Sequence, residues 1–135
     1  MLGQGVVCME PAAAVTLPSS EQAPGVARRF VRDAGGDWPE RVLEAALLAV
    51  SEAVTNAVRH GSGRIQLCVT ADDRLVRIEV TDEGRQLPLR RSSSEDALGD
   101  GGRGLHLLDA LTTEWGSSPR ADGPGKTVWM EIACS

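Results

Sequence analysis

Tyrosine is absent from this chain and phenylalanine occurs once, so aromatic residues make up only 3% of it. That argues against a surface that stacks nucleic-acid bases, which needs several rings. A basic face is missing as well. The 14 Lys and Arg are scattered and outnumbered by 19 Asp and Glu, for a formal net charge of −5. A protein that displaces counterions from phosphates needs its positive charge gathered on one side. The short cluster Arg85, Arg90 and Arg91 reads instead as a loop with one binding duty. No stretch approaches the roughly 18 apolar residues of a membrane span, and Met1 to Val7 lacks the basic start of a secretory leader. Cys8, Cys68 and Cys134 form no Cys-x-x-Cys pair and have no nearby His to complete a zinc site. An odd cysteine count without a leader predicts reduced thiols and a cytoplasmic protein. Neither nucleic acid nor membrane is an expected partner.

Internal repeats and low-complexity linkers are also lacking, so residues 1–135 are expected to form a single domain. A chain of this length buries about two thirds of its unfolded surface, enough for one core. Residues 11–17 read as a first strand ended by Pro18-Ser19-Ser20, with Ser20 as the N-cap of a helix over about Glu21 to Asp33. Val26, Arg29, Phe30 and Ala34 recur there at helical spacing. Asp37 and Glu40 form a capping box for a long amphipathic helix. Its stripe is Val42, Leu43, Ala46, Leu47, Val50, Ala53, Val54 and Ala57, and Gly61 ends it. A hairpin follows: Ile65, Leu67 and Val69 alternate with polar neighbours, as do Val76, Ile78 and Val80 beyond the Ala71-Asp72-Asp73 turn. Residues 82–102 read as a loop, then a helix from about Arg103 to Leu111, a strand near Thr112 to Gly116, and a last strand Lys126 to Ala133. The fold class predicted is α+β. Its form is a two-layer sandwich: a mixed, mainly antiparallel sheet covered by helices on one face.

Three segments carry chemistry. Near the end of the long helix, Glu52, Asn56 and His60 are four apart and form a polar stripe beside the apolar one. An amide oxygen there can take a magnesium position while the carboxylate orients or deprotonates a hydroxyl. A solvated helix edge has the same pattern, and His60 reads as a cap of the helix end. The second segment is Val80-Thr81-Asp82-Glu83-Gly84 at a strand end. There an Asp can accept from a purine amino group while Gly84 leaves room for the base, although Asp-x-Gly is also ordinary turn chemistry. The third is Gly99-Asp100-Gly101-Gly102-Arg103-Gly104-Leu105, whose backbone N–H groups at a helix start could face an anion, or could serve as a plain connector.

Taken in order, SEAVTNAVRHG, VTDEG and GGRGLHLLDAL resemble the gyrase, heat-shock chaperone, histidine-kinase and MutL ATPase superfamily. Within it they look most like the stand-alone anti-sigma-factor serine kinases, from about residue 10 to the C-terminus. The resemblance implies a Bergerat-type ATP-binding fold with ATP and Mg²⁺ as cofactors. It implies Glu52 as general base, Asn56 on the metal, Asp82 on the adenine amino group and Gly84 beneath the base. Gly102, Arg103, Gly104 and Leu105 would line the phosphates, under a lid at about 86–101. Two departures stand out. The first glycine box reads Asp82-Glu83-Gly84-Arg85-Gln86, without a second glycine. The family's late Gly-Thr pair appears as Gly125-Lys126-Thr127. Either Thr127 supports adenine through water, or Lys126 takes that place and Thr127 turns to the other sheet face. The expected function is a serine/threonine-protein kinase of the anti-sigma-factor type, acting in transcription regulation. It would phosphorylate a small anti-anti-sigma-like antagonist protein, sequester a sigma factor and form a homodimer. The alternative is a nucleotide-gated regulatory binding module without kinase activity.

Overall fold

A strand whose apolar residues fall on every second position has one face that must be covered, and α-helices here supply the cover. The computed structural model describes residues 13–60, 63–84, 108–120 and 123–134. Along the chain run β1 (Ala13–Leu17), α1 (Ala23–Ala34), α2 (Glu40–His60), β2 (Ile65–Ala71), β3 (Leu75–Asp82), β4 (Glu114–Pro119) and β5 (Lys126–Ala133). A helical turn at 108–111 precedes β4. The strands form one sheet in the order β1-β2-β3-β5-β4. Every described pairing is antiparallel, so the α+β expectation holds and the sheet is more uniform than the mixed one predicted.

Period-two alternation decides which residues enter the core. Ile65, Leu67 and Val69 of β2, Val76, Ile78 and Val80 of β3, and Val128, Met130 and Ile132 of β5 are all buried on one face. From the other layer, α2 contributes Val42, Ala46, Ala49, Val50, Ala53, Val54 and Ala57. α2 lies across β3 and β5, while α1 packs on α2 and reaches β1 and β2. Each fully buried Val, Leu or Ile contributes about 1.5–3 kcal/mol relative to exposure. No described helix is long and apolar enough to cross a membrane.

Three local expectations are corrected. α1 starts at Ala23, and the Ser20 hydroxyl accepts from the Gln22 N–H (3.3 Å), shaping the turn before the helix rather than capping it. The stripe that α1 buries is Ala23, Ala27 and Val31; Val26, one position off it, is 39% exposed. Small alanines let α1 approach α2 closely and leave no hydrophobic signal in the sequence. α2 begins at Glu40, which leaves Asp37 outside the capping position; the Pro39 carbonyl accepts from the N–H groups of Val42 and Leu43. The β2–β3 turn forms where expected, and the Asp72 Oδ1 accepts from the N–H groups of Arg74 (2.8 Å) and Leu75 (2.9 Å).

Candidate functional site

The C-terminal end of α2 leads into β2 beside the end of β3, the central strand of the sheet. α2 ends at His60 and β2 begins at Ile65; Gln66, the next residue, pairs with Thr81 of β3. The connection also lies close against the segment that follows β3. Gly63 has φ +72°, and a Cβ there would run into the Glu83 carboxylate. Along α2, Glu52 and Asn56 are half-buried, beside the fully buried Ala53, Val54 and Ala57, and His60 is exposed. The polar stripe therefore borders the core instead of facing open water.

Asp82 is the last residue of β3 and is only 2% exposed. It continues the inward parity of Val76, Ile78 and Val80, so its carboxylate faces the helix layer. Its Oδ1 accepts from the Gly84 N–H (2.7 Å), so the turn reading of Asp-x-Gly is realised, with Gly84 buried beside the carboxylate. The second partner is Lys126, the first residue of β5 and directly across the ladder from Asp82. Its Nζ lies 2.9 Å from Oδ2 and 3.0 Å from Oδ1. The lysine side chain is 5% exposed. A buried charge of this kind persists only when it is paired and hydrogen-bonded.

Gly125 makes that pairing sterically available. Its φ is +124°, and a Cβ would collide with the backbone carbonyl of Asp82, so the chain enters β5 pressed against the end of β3. Thr127 then falls on the opposite face, where its hydroxyl is hydrogen-bonded to that of Thr81 (2.8 Å). Of the two alternatives for this strand, the alternating pleat realises the second: Thr127 turns away from Asp82 to the other sheet face, and Lys126 stands opposite Asp82.

A model of the histidine kinase-like ATPase domain matches residues 17–132. The chain belongs to that family. A serine-protein kinase RsbW from Staphylococcus epidermidis is 34% identical over 53% of this chain and 55% of its own length. An anti-sigma F factor from Clostridium acetobutylicum is 51% identical over 31% of this chain and 32% of its own. The chain thus spans about half, or less, of the curated relatives it matches. Two solved structures share the fold at low identity. The histidine kinase domain of the Erythrobacter litoralis EL346 blue-light activated histidine kinase superposes with a TM-score of 0.54 at 22% identity. That match covers 87% of this chain and 62% of the other. A second structure of that kinase gives 0.57 at 24%, over 88% and 42%.

Within this histidine kinase-like ATPase domain, the described residues include Glu52, Asn56, Asp82, Gly84 and Thr127. The lid at about 86–101 and Gly102, Arg103, Gly104 and Leu105 lie outside the described residues. The residue that sequence reasoning underused is Lys126. Its signal was its parity with Val128, Met130 and Ile132, which places a charged side chain among core positions. Among the described residues no group of three or more His, Cys, Asp or Glu could hold a metal ion. A half-buried amide such as that of Asn56 is of the type that can give one oxygen to a magnesium ion held mainly by phosphates and water. A cleft of about 210 Å³ lies partly on the opposite side of the sheet, lined by Thr16, Arg64, Gln66, Thr81, Asp82, Glu83 and Arg120. It includes neither Glu52 nor Asn56.

Proposed function

We propose that this chain is an ATP-binding, anti-sigma-factor-like serine kinase that phosphorylates a small antagonist protein and sequesters a sigma factor. The observation that carries the proposal is the buried Asp82, which ends β3 and is aimed into the layer where α2 lies across β3 and β5. The names of the relatives, a serine-protein kinase and an anti-sigma F factor, support the choice of partner class.

In this proposal Asp82 accepts from the adenine amino group, and Gly84 leaves the base face clear. Asn56 holds Mg²⁺, which when bound neutralises phosphate charge. Gly102, Arg103, Gly104 and Leu105 line the phosphates. Glu52 takes the proton from a serine hydroxyl of the antagonist as that oxygen bonds to the γ-phosphorus. The bond from the γ-phosphorus to the β–γ bridging oxygen breaks, and ADP leaves. Positioning and charge neutralisation carry most of such a transfer. A homodimer and a cytoplasmic location complete the proposal.

The test uses radiolabelled ATP with candidate anti-anti-sigma-like proteins, comparing wild type with Glu52→Gln and Asn56→Ala. Label transfer should fall by roughly 10²–10⁴-fold in Glu52→Gln while ATP still binds. Asn56→Ala should lose magnesium-dependent ATP binding with its circular dichroism unchanged. A wild type that binds ATP and a sigma factor yet labels no candidate is a nucleotide-gated module. Equal labelling by wild type and Glu52→Gln removes Glu52 from the role of base.

A further inference from the structure

The carboxylate of Asp82 has about four lone-pair sites. Oδ1 accepts from the Gly84 N–H and from Lys126 Nζ, and Oδ2 lies 2.9 Å from the same Nζ with no other partner among the described residues. Oδ2 keeps acceptor capacity that no described residue uses. The ammonium of Lys126 has three donors and no acceptor capacity. It donates to Asp82 Oδ1 and faces Oδ2, and it meets no other acceptor among the described residues. Both side chains are almost fully buried, 2% and 5% exposed, so the open acceptor and the spare donor are not bathed by solvent. They stand side by side on one rigid pair, held by the β3–β5 ladder at Asp82↔Lys126.

An acceptor next to a donor complements a ligand edge that presents a donor next to an acceptor. We infer that Lys126 is a second base-reading residue of the nucleotide site, donating to the purine N1 while Asp82 accepts from the 6-amino group. The inference rests on the proposed placement of adenine at Asp82. The edge of adenine offers the required order: an amino donor at C6 and a bare nitrogen at position 1. Guanine in the same pose sets its O6 against the carboxylate and its N1–H against the ammonium, so both contacts become repulsive. A hydroxyl or a water could rotate to meet either base, because each both donates and accepts. A lysine cannot, so its presence adds rejection as well as attraction.

The experiment is calorimetric titration of the full chain, in magnesium, with ATP, GTP, 1-deaza-ATP (N1 replaced by CH) and purine riboside triphosphate (no 6-amino group). ATP should bind tightest. 1-Deaza-ATP should be weaker by about 10–100-fold, the loss of one hydrogen bond from a charged donor. Lys126→Thr, checked for folding by circular dichroism, should shrink the gaps between ATP and 1-deaza-ATP and between ATP and GTP to a few-fold. Equal binding of ATP and 1-deaza-ATP by wild type, with purine riboside triphosphate still weakened, overturns the role of Lys126 and leaves the adenine site at Asp82 standing. Full discrimination retained by folded Lys126→Thr overturns it too. If no adenine nucleotide binds, the nucleotide site and this inference fall together. The wild-type comparison decides the matter even if the variant does not fold.

Discussion

Asp82↔Lys126 and Thr81↔Thr127 are consecutive rungs of the same β3–β5 ladder and differ in which face of the sheet they take. The first pair is charged and buried under the helices. The second is two half-buried hydroxyls on the uncovered side, hydrogen-bonded to each other at 2.8 Å. Around Asp82 and Lys126 the covered face is aliphatic: Val80 and Val128 are the next residues inward. The uncovered face is polar. Arg77 there binds Glu79 (3.0 Å) and Glu131 (2.6 Å) and lies 5.0 Å over the Trp129 ring. Those side chains are a quarter to two fifths exposed, and ion pairs so placed contribute about 0–1 kcal/mol each. On the covered face each charge depends on its partner, because an unpaired one would stand in an apolar layer without water. The same polar chemistry is thus nearly neutral on one side and decisive on the other.

The strongest way to break this contrast is Lys126→Met. Leaving the Asp82 charge buried without its counter-charge should cost about 3–5 kcal/mol of unfolding free energy, read from urea denaturation. The double variant Asp82→Leu/Lys126→Met should recover most of that loss, since it removes both charges. Gly125→Ala comes next. The positive φ and the blocked Cβ should cost about 2–3 kcal/mol by the same measurement. On the uncovered face, Thr127→Val should cost about 1 kcal/mol, one exchanged hydrogen bond, and leave ATP affinity as it was. The smallest effect concerns Cys68. Burial, and then the Glu79 carboxylate across the ladder, push its thiol pKa up. Little thiolate is then present near pH 8, so alkylation of Cys68, followed by mass spectrometry, should be slower than that of a free cysteine. Glu79→Gln should speed it by less than about tenfold, because the charge is the lesser of the two causes.

Where a signal is periodic and local, the sequence carried it. β5 spans Lys126–Ala133 as its alternation required, and α2 runs from Glu40 to His60 beneath the stripe read from Val42 to Ala57. The places of Glu52 and Asn56 beside the apolar stripe, and of Asp82 at a strand end, were legible because fixed spacing on a helix and a strand puts residues at definite angles. What stayed hidden depends on pairing between distant segments or on residues without character. Asp82 and Lys126 are 44 positions apart, and only the β3–β5 register joins them. The face of Thr127 was left open for the same reason, since a strand read alone has two faces and no core to choose between them. In α1, the burial of Ala23 and Ala27 in place of Val26 was invisible because small side chains mark close helix contact by lacking bulk.

α2 is at once the main beam of the core, through Val42, Val50 and Val54, and the carrier of Asn56. A ligand gripped by Asn56 therefore acts on the element whose loss is unfolding itself, not on an appended loop. By mass action, such a ligand at 100 times its Kd adds about 2.7 kcal/mol to the folded state. If the proposed nucleotide binds there, resistance to heat and to proteases becomes a gauge of its supply.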